Sequence, residues 1–196
     1  MTIRPGQEWG RPAGDVSTAT PAGSDADLAD QVAAGAVGPF AVSAGDLHRA
    51  VGAPKPGAHT TIVPVDALAV QLDEGPERLV VAHLVARRSW WRGPVVAVCN
   101  VDYVGTWNVA PRAHPGDGRA NVVDVSPAMS TRARWQAWRR LPQGTHLPHP
   151  AITTRSIRTV SFEFESPMRV WLDGVPSGTA RHLKVTVRPD AFELLL

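Results

Sequence analysis

Cys99–Val125, CNVDYVGTWNVAPRAHPGDGRANVVDV, is the stretch on which the reading of this chain turns. It opens at the end of an apolar run, Val95–Val98, and passes through a loop rich in Gly, Pro and Asp. It closes in a second apolar run, Asn121–Val125. Short apolar runs bounded by turn residues read as strands, since helices need more length. Toward the C-terminus the pattern becomes strict alternation. Val160, Phe162 and Phe164 share one face, then Met168, Val170 and Leu172, then Leu183, Val185 and Val187, with Phe192, Leu194 and Leu196 to finish. Runs of period two, separated by Asp173-Gly174 and by Pro176-Ser177-Gly178, predict hairpins of a half-buried antiparallel sheet.

Toward the N-terminus, residues 60–72 alternate in part, a turn of Asp-Glu-Gly-Pro follows at 73–76, and Leu79–Val85 forms another apolar run. The sequence RRSWWRG at 87–93 separates it from Val95–Val101, and the one longer helix expected in this part is 129–141, MSTRARWQAWRRL. Residues 1–22, rich in Gly, Pro, Ser and Thr, read as a loosely structured arm anchored by Trp9. Residues 23–55 read as helix, strand, turn, helix. Ser24 or Asp25 caps a helix with Leu28 and Val32 on one face, Gly35 and Gly38 stop it, Pro39–Val42 is extended, and a short helix carries Leu47 and Val51. A Pro/Gly linker at 53–58 then leads into a β-rich unit over 56–196.

The 196 residues are 43% hydrophobic and 19% charged, which fits a folded chain with a real core and excludes wholesale disorder. With 18 prolines and 17 glycines, turns are many and long helices few. A net charge of +2 does not by itself point to nucleic acid. The single cysteine, Cys99, permits no internal disulfide and is read as buried and inert in a reducing compartment. No apolar run reaches the ~20 residues of a membrane span, and no signal-peptide core opens the chain, so the expected address is the cytoplasm.

In the central stretch the order is Asn, aromatic, small-residue turn, Pro, Ala, then Asp117-Gly118 and a β-like run. This resembles the C-terminal half of the diacylglycerol kinase-type lipid kinases, relatives of the NAD kinases. Elsewhere, Gly23-Ser24-Asp25-Ala26-Asp27 stands where that family has GGDGT, and Ser43-Ala44-Gly45-Asp46-Leu47 where it has GTGND. Asp173-Gly174-Val175 stands where it has Asp-Gly-Glu, and Gly144-Thr145-His146 matches a Gly-x-His stretch. The resemblance implies a mainly β protein: a C-terminal β-sandwich of the lipid kinase/NAD kinase type behind a small N-terminal α/β remnant. It also implies vestigial cofactor-binding positions at Gly23, Ser24, Asp25, Gly45 and Asp46, a metal position at Asp117, and ATP with magnesium as cofactors if the protein is active.

The residues themselves favour loss of activity. GSDAD keeps one glycine of three and adds Asp27, which would repel a triphosphate; an N-cap with acidic residues in the first turn explains it equally. Asp46 is accounted for by helix capping. Asn121, matching a strand carboxylate, keeps an oxygen but loses the charge that a hard cation wants, and Pro-Gly-Asp-Gly also forms turns unaided. Val175 has no titratable group where the family's general base stands, leaving Asp173 as a catalytic candidate in a turn that Asp-Gly specifies anyway.

On the longer helix, Trp135 and Trp138 lie among Arg132, Arg134, Arg139 and Arg140. With Trp90, Trp91 and the arginines at 87, 88 and 92 they form a basic-aromatic set. Such a set suits an acidic membrane surface or a protein partner. Alternatively the tryptophans pack on the sheet and the arginines face water. His146 and His149 lack the further ligands of a zinc site.

Three functions follow. The preferred one is a degenerate, non-catalytic lipid kinase homologue acting as a ligand-, membrane- or protein-binding regulatory module, with no cofactor. The others are an active ATP-dependent lipid kinase and a nucleic-acid-associated protein. A location peripheral to the membrane and a homodimer through exposed strand edges are also expected.

Overall fold

The structure, a computed structural model, describes residues 9–14, 19–54 and 61–196. In chain order these form β1 (Arg11–Pro12), β2 (Thr20–Ala22), α1 (Asp25–Ala33), β3 (Pro39–Val42), α2 (Asp46–Ala50), β4 (Thr61–Leu72), β5 (Glu77–Val80), β6 (His83–Arg87), β7 (Val95–Cys99), β8 (Tyr103–Val104), β9 (Trp107–Asn108), β10 (Ala120–Val125), α3 (Thr131–Arg140), β11 (Ile152–Ile157), β12 (Thr159–Leu172) and β13 (Val175–Leu195). The fold is mainly β, as expected. Eleven strands belong to one sheet whose main path runs β1-β4-β13-β12-β6-β7-β10-β11, and β8–β9 is a separate hairpin.

Burial explains which strands alternate. In β7 every residue is buried: Val96 and Val98 join Leu68, Val70, Met168 and Val185 in the main core, while Ala97 and Cys99 face a second cluster with Val123 and Met129. A strand covered on both faces reads as a continuous apolar run. In β13, Leu183, Val185 and Val187 enter the core while His182 and Lys184 lie exposed, so the period of two is clean.

The N-terminal segment is stitched into the same body. Leu28 of α1, Phe40 of β3 and Leu47 of α2 pack with Val63, Val65, Phe192 and Leu194 of β4 and β13. Strand β3 pairs in parallel with β13 on one side and with β2 on the other. The arm is firmer than its composition implies. Trp9 donates its indole N–H to the Pro64 carbonyl (3.0 Å) and meets the His114 ring edge-on, β1 pairs with β4, and β2 joins the sheet. Residues 1–8 and 15–18 of that arm, and most of the 53–58 linker, lie outside the described residues.

Two strand boundaries differ from the expectation, for identifiable reasons. The Leu79–Val85 run is split into β5 and β6 because the amides of Val81, Ala82 and His83 turn away from the ladder to donate to Asp173 (2.9, 2.9 and 3.0 Å). Pro176-Ser177-Gly178 makes no hairpin. It lies inside β13, where the register against β12 slips between Arg169 and Trp171 and Gly178 takes φ +103°.

Asp173 is one of several aspartates used this way. Asp66, fully buried in β4, accepts from Gly118 N–H (2.6 Å) and Asp190 N–H (3.0 Å), while Asp73 accepts from Arg181 N–H (2.9 Å) and His182 N–H (2.8 Å). Each carboxylate satisfies main-chain donors at a bend, bulge or loop beside the sheet.

Candidate functional site

The two loops expected to hold a cofactor come together, and each is already occupied by the chain's own acids. After β2, Ser24 caps α1 by accepting from Asp27 N–H (3.2 Å), and Asp27 in turn accepts from Gly23 N–H (2.7 Å) and from the Gln31 side chain (3.1 Å). This reciprocal cap uses the first-loop amide that a phosphate would need. Hydrogen bonds from Gly23 and Gln31 hold the Asp27 carboxyl below its usual range.

Asp25 turns the other way. Its carboxylate, with the residue 5% exposed, accepts from Asp46 N–H (2.6 Å) and Leu47 N–H (3.3 Å) at the start of α2. Gly45 is required for this approach: it has φ +118°, and a Cβ there would lie 2.2 Å from an Asp25 oxygen. Asp46, freed from any capping of its own helix, accepts from Gly105 N–H (2.8 Å) and stands 3.5 Å from His83 Nδ1. Arg49 donates to the Gly105 carbonyl and lies over the Tyr103 ring, so the β8–β9 hairpin is tied to α2.

Asp25, Gly45, Asp46, His83 and Asp173 thus line one open cleft, beside the hairpin residues Gly105 and Trp107. Burial raises the Asp25 carboxyl to about 7 against the pull of the Asp46 amide, with Asp173 and Asp46 adding repulsion. Burial also raises Asp173, opposed by its three amides and by His83. For His83, burial lowers the pKa against the attraction of Asp173 and Asp46, favouring a neutral ring. Acidic side chains whose oxygens already hold amide protons make a poor seat for a polyphosphate.

Asp117 does not line this cleft. It accepts from Arg119 N–H (2.9 Å) in a turn beside buried Asp66, and Asn121 is engaged in the sheet between Cys99 and Ser156. Among the described residues no group of three or more His, Cys, Asp or Glu side chains is placed to hold a metal ion. Val175 opens β13, 48% exposed and without a titratable group.

A second hollow of about 100 Å³ adjoins the cleft across Val104 and Trp107. Its floor is the outer face of β7 and β10, through Val95, Ala97, Val123 and Val125, and its roof is α3, through Ala137 and Trp138. Helix α3 begins at the Ser130 cap, which accepts from Ala133 N–H (3.2 Å). Arg134, expected at the surface with its neighbours, is instead buried. Its guanidinium donates to the carbonyls of Met129 (3.1 Å), Trp90 (3.1 Å), Ser126 (2.9 Å) and Gly93, fastening the helix to the 87–94 loop. Ala133 and Ala137 are the helix residues packed toward the sheet, and Trp135 and Trp138, instead of packing there, remain 46% and 44% exposed beside Trp90 and Trp91 at 36% and 42%.

His146 is the polar side chain in this apolar lining that is not committed elsewhere. It is 4% exposed and neither ring nitrogen makes a well-formed hydrogen bond; burial lowers its pKa, and a loose contact with the Val109 carbonyl acts in the opposite sense. Sequence reasoning treats it as a rejected metal ligand and as part of the Gly-x-His resemblance, and passes over His83 and Asp66 altogether. A lone acid in the middle of the apolar strand Thr61–Leu72 is the one legible sign for Asp66.

Residues 64–196 match the family model described as the YegS C-terminal NAD kinase beta sandwich-like domain. Three solved structures from Bacillus anthracis str. Sterne share the fold. Two are of a candidate diacylglycerol kinase, each at 13% identity and covering 88% of this chain, with TM-scores of 0.65 and 0.66 over 75% and 76% of theirs. The third, of a diacylglycerol kinase, is 15% identical, covers 80% of this chain and 66% of its own, and has a TM-score of 0.57. No curated protein matches the sequence.

Proposed function

Because this chain belongs to the family of the YegS C-terminal NAD kinase beta sandwich-like domain, we propose that it is a lipid kinase-like protein without phosphoryl-transfer activity, which binds an amphipathic lipid in the hollow beneath α3. The observation that carries the first half is Asp25, whose carboxylate takes the Asp46 and Leu47 amides at the second loop. A nucleotide phosphate there would have to displace a buried acid and then face Asp46 and Asp173. Asp173 is a poor substitute for the base that Val175 lacks, because three amides already point at its oxygens. Losing a positioned base alone costs about 10²–10⁴ in rate.

The second half rests on the hollow's chemistry. It is lined by aliphatic and indole groups, with Arg134 already bound to main-chain carbonyls and one imidazole, His146, that makes no well-formed hydrogen bond. A hydrocarbon chain bearing a single hydrogen-bonding group satisfies both features, as ligand sites of this kind are mostly apolar with few placed polar groups. At about 100 Å³ the hollow admits a short stretch of chain, with the remainder lying against Trp91 and Trp138 at its mouth.

Two measurements test this reading. With labelled ATP, magnesium and diacylglycerol the purified protein should transfer no label above the blank. A conjugated polyene fatty acid should quench the lining tryptophans by energy transfer, and Ala137→Phe, which fills the hollow, should abolish the effect. Label transfer that Asp173→Ala removes would overturn the first half. Undiminished quenching in folded Ala137→Phe would overturn the second.

A further inference from the structure

We propose that the tryptophan–arginine rim around the hollow is a docking face for an anionic lipid bilayer. The proposal rests on the lipid-binding reading above and names where such a lipid is taken from. Six large hydrophobic side chains are exposed among the described residues, and four of them, Trp90, Trp91, Trp135 and Trp138, belong to the 87–94 loop and α3. Trp91 and Trp138 meet edge-on at 6.4 Å, so the loop and helix present one continuous aromatic surface at the mouth of the hollow. Indole rings prefer the water–hydrocarbon boundary, where the apolar body is buried and the N–H stays wet.

Charge fixes the kind of surface. Arg88, Arg92, Arg132, Arg139 and Arg140 are exposed on these two segments, and neither 87–94 nor 126–151 contains an aspartate or glutamate. An aromatic face ringed by arginine with no acidic residue is complementary to acidic headgroups. Single-stranded nucleic acid fits less well. The Arg87 guanidinium lies 4.2 Å from the Trp90 centroid and that of Arg139 4.9 Å from the Trp135 centroid, covering ring faces on which bases would stack. No helix among the described residues is long and apolar enough to cross a membrane, so α3 would lie in the interface.

The full chain should co-sediment with phosphatidylcholine vesicles containing phosphatidylglycerol, and weakly with phosphatidylcholine alone. Each arginine near an anionic leaflet contributes about fivefold in affinity, so Arg139→Gln with Arg140→Gln should weaken binding roughly 25-fold. Trp135→Ser, which leaves the hollow's lining intact, should weaken binding to both vesicle types. Polyene fatty acid quenching should persist in all these variants and serves as the check on folding. Equal binding to neutral and anionic vesicles, or binding unchanged in the arginine variants, would overturn the docking face while leaving the hollow untouched. So would salt-sensitive binding to oligonucleotides in the absence of vesicle binding. Loss of fatty acid quenching in the unmodified protein, with vesicle binding retained, would remove the ligand reading instead.

Discussion

Replacing Asp25 by asparagine separates a carboxylate that merely fills space from one whose charge burdens the fold. Asp25 accepts two amides, yet burial and the neighbouring Asp173 and Asp46 raise its pKa from 3.8 to about 7. A carboxyl that holds its proton more tightly when folded stabilises the fold fully below its unfolded pKa. That contribution fades as the pH climbs through the folded pKa. At 1.36 kcal/mol per pH unit, the rise from 3.8 to about 7 amounts to about 4 kcal/mol across the whole window. Between about pH 5 and pH 8 about 2–3 kcal/mol of it should be lost, and the titration of Asp66, raised to about 6, is common to both proteins. The amide of Asp25→Asn is neutral throughout and keeps an oxygen for the Asp46 N–H, so the variant should gain about that much on the parent over this range. Urea denaturation of both proteins at the two pH values measures the difference, and any fixed packing cost of the amide cancels between them. A stability gap that does not change with pH would refute the reasoning and, with it, the claim that an ionised Asp25 is costly in this cleft.

Asp173→Ala should destabilise the protein by about 3–5 kcal/mol in denaturant titration, because three amides at the β5–β6 break lose a buried charged acceptor. Arg134→Met should cost about 2–3 kcal/mol and speed amide exchange over Thr131–Arg140, since four carbonyls lose one charged donor. Cys99 is fully buried with its thiol pushed up to about 12, so maleimide labelling should proceed at the rate of global opening and accelerate with urea.

Much of the architecture was legible because the hydrophobic period is local. The alternation of β12 and β13, the Ser24 cap of α1, and the doubly buried run of β7 all follow from neighbours within a few residues. The aspartates were not legible in this way. Asp25 finds its partners 21 residues on, Asp173 reaches back about 90, and Asp66 joins Gly118 and Asp190 across separations of 52 and 124 residues. Sequence spacing marks each as a cap, a turn or a candidate catalyst, and nothing nearby announces which distant amides each will receive. Arg134 was hidden for the opposite reason. It sits on the face of α3 that carries Ala133 and Ala137 inward, but an arginine there reads as exposed like Arg132 and Arg139, and only the carbonyls of Trp90, Gly93, Ser126 and Met129 make its burial tolerable. The central stretch Cys99–Val125 did mark the fold, but its loop supplies the β8–β9 hairpin, which stands between the acidic cleft and the apolar hollow.

Strand β13 pairs with β4 along most of both lengths, with β12 beside it, and with β3 near its end. It is the last described element to be synthesised. While the ribosome is still extending the chain, β3, β4 and the helices that lean on them expose Phe40, Val63 and Val65 without their eventual cover. Neither of the two larger cores can close until β13 has left the ribosome, and until then the segment carrying Phe40, Val63 and Val65 is the one a chaperone would be expected to hold.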